Sequence, residues 1–206
     1  MRSKTLERRE HFLDIAEQLF DQQGYEQVSM AQISASAGGS RATLYSYFPK
    51  KEELYLEVFR RMANRAVASL REQYAQESDA KAALSALGKM MLTLLLSSRL
   101  LTARALLIGS RLESRSKEAE EPSDKQPYQY AFEETDHFFE QLCDKGLLCG
   151  GSPRILSRHF RGMLDSEAMM YQLFCPQSAE LEEQDLIVER VVTAFLRAYG
   201  KQQAQI

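Results

Sequence analysis

Apolar positions recur at helical spacing along almost the whole chain. Phe12, Leu13, Ala16, Leu19 and Phe20 stand at i, i+1, i+4, i+7 and i+8 between charged residues, which predicts an amphipathic helix with one buried stripe. Gly24 supplies the left-handed residue that ends it, with Tyr25 placed to fold back. Ser29 and Gln32 have the spacing of a capping box, and Val28 with Ile33 that of a hydrophobic staple, so a second helix begins at Met30. Gly38 and Gly39 stop it, and Ser40 caps a third helix only about three residues later. Phe48 and Pro49 close that helix. An amphipathic segment from Lys50 to Ala75 follows, with Leu54, Val58, Met62, Ala66 and Leu70 on one face.

The helical pattern continues to the C-terminus. Ser78 or Asp79 caps a helix reaching about Ser97, and Leu100 to Arg115 forms the next. Residues 117–127 are charged and bounded by prolines, which reads as a solvated loop. Tyr128 to Lys145 forms a helix stopped by Gly146. Ser152 and Pro153 open another to Phe174, and a last one runs from Glu182 to Tyr199 before Gly200. No alternating strand pattern occurs. The expectation is an all-α protein of about nine helices: a three-helix unit in residues 1–50 and a larger helical domain in residues 51–206.

Composition changes this picture little. With 44% hydrophobic residues in 206, the chain can build a real core. The longest apolar runs are broken at Arg99 and Arg104, so none reaches the roughly 18 residues that span a membrane. The start is charged rather than apolar, which points to the cytoplasm. Cys143, Cys149 and Cys175 include no Cys-x-x-Cys pair, and they fit neither a disulfide framework nor a zinc site. The net charge of −3 would not by itself mark a nucleic-acid binder. Placement is more informative: Arg41, Lys50 and Lys51 surround the third helix, while Asp14, Glu17 and Asp21 sit on the first.

Two short helices joined by a glycine turn make a helix-turn-helix, in which the second helix enters the major groove of DNA. Arg41 carries the donor fork suited to guanine O6 and N7, and Thr43 offers a hydroxyl and a methyl. Ser29, Ser40, Tyr45, Tyr47 and Lys51 complete the candidate DNA-binding set, with Ser29, Tyr45, Tyr47 and Lys51 placed to hold phosphates and set register.

An ordered series of residues resembles the DNA-binding domain of the tetracycline-repressor (TetR) family. It comprises Ala16, Leu19-Phe20, Gly24-Tyr25, Ser29-Met30, Ile33, Ala37-Gly38, Ser40, Thr43-Leu44-Tyr45, Tyr47-Phe48 and Lys51-Glu52-Glu53-Leu54. Three positions depart from the pattern of that family: Gly39 replaces a common valine, Ser34 a common alanine and Lys50 a frequent serine cap. Gly39 is expected to loosen the turn, at a cost of about 1 kcal/mol.

The resemblance implies a ligand-responsive, dimeric transcriptional regulator, expected to be a repressor that a small apolar effector releases from a double-stranded DNA operator. A dimer also follows from the few base pairs that one helix-turn-helix reads. Its expected interface is a four-helix arrangement of the last two helices, with Phe160, Met163, Leu164, Met170, Phe174, Val188, Val192, Phe195 and Tyr199 as candidates. An apolar effector pocket would draw on Met62, Met90, Met91, Leu94, Leu107, Tyr128, Phe138 and Phe139. No cofactor or metal is expected. Two alternatives remain: a redox-responsive regulator using Cys143 and Cys149, and a helical interaction module that does not bind DNA. Catalysis has little to draw on, because His11, His137 and His159 are scattered and Asp136 beside His137 points elsewhere on a helix.

Overall fold

A computed structural model describes residues 2–116, 133–174 and 181–201, and among them nine helices and no strand. They are α1 (Arg2–Gln23), α2 (Met30–Ser36), α3 (Arg41–Tyr47), α4 (Lys51–Gln73), α5 (Ala80–Leu95), α6 (Ser98–Ser116), α7 (Glu133–Asp144), α8 (Pro153–Phe174) and α9 (Leu181–Tyr199). Internal contacts divide the described chain into two units. One holds residues up to 62 with 102–116, and the other holds 63–101 with the remainder. The division falls inside α4, after Met62, rather than at the start of that helix. The reason is the burial of Leu54, Tyr55 and Val58, which assigns the first turns of α4 to the small domain.

In the first unit α1, α2 and α3 contact one another in every pairing. Phe12, Leu13 and Ala16 are wholly buried on α1, as are Ile33 on α2 and Leu44 on α3. Aromatic edges tie the loop after α1 to α4: Tyr25 lies 6.0 Å from Phe20 and 4.9 Å from Tyr55, between ring centroids. Charge fastens α4 to α1. The Arg61 guanidinium reaches Glu10 at 3.0 Å and both Asp14 and Glu17 at 2.8 Å. Glu57 takes Arg60 at 2.6 Å and Arg9 at 3.0 Å. Burial works to raise the Glu57 pKa, but the hydrogen bonds from these two arginines outweigh it and hold the carboxyl below its ordinary value.

In the second unit α5, α7, α8 and α9 enclose one core. Phe139, Phe160 and Phe195 meet there with centroids 5.2 to 5.7 Å apart, inclined to one another in the edge-on manner that aromatic pairs prefer. α5 and α9 come close together at Gly88 on α5, where an added Cβ would lie 2.9 Å from Val188 Cγ1 on α9. Gly146, at φ 66°, closes α7 with Gly146 N donating to Cys143 O at 2.8 Å and Leu147 N to Leu142 O at 3.0 Å. Beyond it Leu148 pairs with Gly200 in an isolated antiparallel bridge that ties this connection to the end of α9. No single described helix is long and apolar enough to cross a membrane.

Candidate nucleic-acid interface

The turn between α2 and α3 is built by local chemistry. Ser29 caps α2, its Oγ accepting from Gln32 N at 3.1 Å. The reciprocal half of the expected capping box is replaced, because the Gln32 side chain donates instead to Gln23 Oε1 at 3.0 Å. At the other end Gly38 takes φ 59°, with Gly38 N donating to Ala35 O at 3.1 Å and Gly39 N to Ser34 O at 2.9 Å, a Schellman closure. Ser34, in place of the family's alanine, is buried with its hydroxyl satisfied by Ala31 O at 2.9 Å. Ser40 then caps α3, accepting from Thr43 N at 3.1 Å and sharing a 2.8 Å hydrogen bond with Thr43 Oγ1.

Leu44 and Phe48 turn inward from α3, so Arg41, Ala42, Tyr45 and Ser46 face out. Arg41 and Tyr45 are both exposed on this face. Tyr47 is half-buried with its ring 6.1 Å from Phe12, which leaves it partly structural. Ala42 was not among the candidates, although its spacing from the inward Leu44 places it on the outer face. Its methyl is suited to a thymine methyl.

Lys51 does not project as a simple phosphate ligand. Its Nζ donates to Tyr25 O at 2.9 Å and Val28 O at 3.0 Å, and lies 4.1 Å from the centre of the Tyr25 ring. It therefore holds the segment leading into α2. Burial first, and then the Glu52 carboxylate that accepts its hydrogen bond, push the Tyr25 phenol well above the usual tyrosine range, so it stays protonated.

The proposed loosening at Gly39 is also corrected. The space a side chain would occupy there is already filled: an added Cβ would fall against the Arg8 guanidinium and lie 2.8 Å from Phe12 Cζ.

The candidate effector residues do not gather at one described site. Phe138 and Phe139 are core, and Met90 and Met91 are packed against that core. Leu94 is half-buried on α5, whereas Met62 and Leu107 belong to the first unit. Tyr128 lies outside the described residues.

The interface candidates need a larger correction. Phe160, Leu164, Val188, Val192 and Phe195 fill the core of the second unit and present no surface to a partner. Met163 and Tyr199 are half-buried against the same core, and the Phe174 side chain lies outside the described residues. Met170, 55% exposed, lies on the surface. The exposed faces are different ones. On α9 a shallow groove is lined by Leu186, Glu189, Arg190, Thr193, Ala194 and Arg197. On α8 Ile155, Met169 and Met170 are exposed, and Glu167 accepts from Arg190 at 3.1 Å.

The cysteines offer a poor redox pair. Cys143 is half-buried; burial, followed by the charges of Asp144, Cys149 and Glu140, raises its pKa, whereas a sensor thiol needs the opposite. Cys175 lies outside the described residues.

A capped seven-residue helix, set behind a Schellman turn with its polar side facing out of a small helical core, defines a helix-turn-helix regulator of the DNA-binding class. Residues 12–58 match the family of bacterial regulatory proteins of the tetR type, and residues 82–201 match the AefR-like transcriptional repressor C-terminal domain. The chain belongs to the TetR family of transcriptional regulators. Among curated relatives it is similar to the regulator AcrR of Shigella flexneri, at 36% identity over 58 residues, 28% of this chain and 27% of AcrR. The first curated relatives are thus spanned over only 27% to 39% of their own length. Among solved structures, a TetR-family regulator from Mesorhizobium loti shares the fold with TM-score 0.66 and 23% identity, covering 96% of this chain and 98% of that one. FadR of Thermus thermophilus, a TetR-family repressor in complex with lauroyl-CoA, aligns with TM-score 0.62 and 18% identity over 96% and 98% of the two chains.

Proposed function

We propose that this regulator acts as a dimer that reads an operator through α3 and leaves it when a small apolar molecule binds the second unit. The observation that carries this reading is the division of α3 into a buried Leu44 and an exposed face of Arg41, Ala42, Tyr45 and Ser46. Arg41 stands at the first helical position, where recognition helices reach base edges, and its fork fits guanine. Thr43 and Ala42 supply methyl contacts. Ser29, Ser40, Tyr45 and Tyr47 hold phosphates, while Lys51 steadies the entrance to α2.

Two such helices must be set about one turn of DNA apart to reach useful affinity, which calls for two copies. The outer faces of α8 and α9, with Met169, Met170, Leu186 and the small Ala194, support pairing there in place of the buried residues. Repression is supported by the match to a repressor C-terminal domain, and an apolar effector by the acyl-CoA bound to the Thermus thermophilus FadR. Met90, Met91 and Leu94, which lie half-buried on α5, are candidates for its lining. Release follows if the effector favours a conformer whose recognition helices are wrongly spaced, coupled through α4, which contributes residues to both units.

A mobility-shift assay on the DNA flanking its own gene tests this. Wild type should prefer that DNA to a random duplex at moderate salt, and Arg41→Ala should lose the preference. Equal binding of wild type to both duplexes would refute the reading.

A further inference from the structure

Arg8 lies on α1, far in sequence from the recognition helix, yet its guanidinium reaches the turn. Its Nη2 donates to Gly38 O at 2.9 Å. Its guanidinium carbon stands 5.0 Å above the centre of the Phe12 ring, over which the plane can stack. The third contact is the bare Cα of Gly39: a Cβ there would collide with the guanidinium and with the edge of Phe12. Phe12 is wholly buried and its ring faces Tyr47, the last residue of α3. A path of contacts thus runs from the Gly38 carbonyl through Arg8 and Phe12 to the far end of α3.

We propose that Arg8 is a positioning residue for DNA recognition: its guanidinium occupies the room left by the missing side chain at Gly39, fastens the Gly38 carbonyl, and so sets the angle at which α3 is presented. The turn itself has too little side chain to do this, since Gly38 and Gly39 offer only backbone. Arg suits the role because its planar fork can hold a carbonyl with one edge while its face rests on a ring, which a lysine ammonium cannot. This inference rests on the reading of α3 as the recognition helix.

Operator affinity and its salt dependence, measured on the full chain, separate the possible roles of Arg8. Binding to the duplex flanking its own gene and to a random duplex is titrated by fluorescence anisotropy for wild type, Arg8→Ala and Arg8→Lys. Wild-type preference for the first duplex is the internal control; without it the reading of α3 fails, whatever Arg8 does. Arg8→Ala should weaken specific binding by about tenfold, as loss of one charge-assisted hydrogen bond implies, with the slope of affinity against salt unchanged. Arg8→Lys should not restore it. A slope smaller by about one would make Arg8 a phosphate ligand and overturn the proposal. So would an Arg8→Ala affinity within about twofold of wild type. If Arg8→Ala melts before it can be titrated, Arg8→Lys decides: specific binding within about twofold of wild type overturns the proposal.

Discussion

Lys51 and Tyr25 are joined twice, by a 2.9 Å hydrogen bond from Nζ to the Tyr25 carbonyl and by the ammonium resting 4.1 Å from the Tyr25 ring centre. With the further bond to Val28 O, this pins the loop from which α2 starts. Lys51→Met keeps the stem and removes the donors. It should lower unfolding stability by about 1–2 kcal/mol, less than two full charged hydrogen bonds because the freed carbonyls can turn to water. An unchanged urea midpoint would show that the contact contributes nothing.

Acid should loosen α1 from α4. A carboxyl held below its unfolded pKa contributes its full stability above that unfolded value, here 4.5, and loses it as pH falls through the folded value. Glu57, bound by Arg9 and Arg60, is such a group. Wild-type stability should therefore decline as pH falls below about 4.5, and Glu57→Gln should flatten that decline in a series of thermal melts. If the two acid limbs coincide, Glu57 is not responsible.

Arg41→Ala and Tyr45→Ala should weaken DNA binding in different ways. Removing a bidentate guanine contact costs about 1–3 kcal/mol and relaxes preference at one base pair, while a phosphate contact weakens binding to every sequence alike. A panel of single-base operator variants separates the two. If Arg41→Ala lowers affinity equally across the panel, Arg41 positions rather than reads.

The burial of Phe195 and the exposure of Leu186 on the same helix call for opposite consequences. Phe195→Ala should cost about 3–5 kcal/mol of stability by opening a cavity against Phe139 and Phe160. Leu186→Glu with Ala194→Glu should leave helix content intact and halve the mass seen by light scattering. A species of dimer mass for that double variant would place the interface elsewhere.

The small domain was legible because its signals are local. A serine three residues before the amide it caps, or a glycine at positive φ, acts within one turn of its own position, and Ser29, Ser40, Gly24 and Gly38 all fold as their neighbourhoods require. What could not be read depends on residues far apart in the chain. The amphipathic pattern marks one side of α9 as buried, but whether Val188, Val192 and Phe195 are covered by α5 and α7 or by a second copy is a question of what lies opposite. Lys51 looked like a phosphate ligand because its acceptors are backbone carbonyls, which carry no sequence signature. Arg8 carries no sequence signal for a similar reason: the space it fills is created by an absence at Gly39.

Gly88 bears on how the larger domain can deform. Sliding α5 by one turn along α9 would bring Leu84 or Leu92, which share its face, toward the point now occupied by Gly88, and a Cβ at that point stands only 2.9 Å from Val188. The missing methyl therefore acts as a detent that fixes the register of the two helices. A ligand able to shift this domain must leave that pair engaged and take up the movement in the other helices.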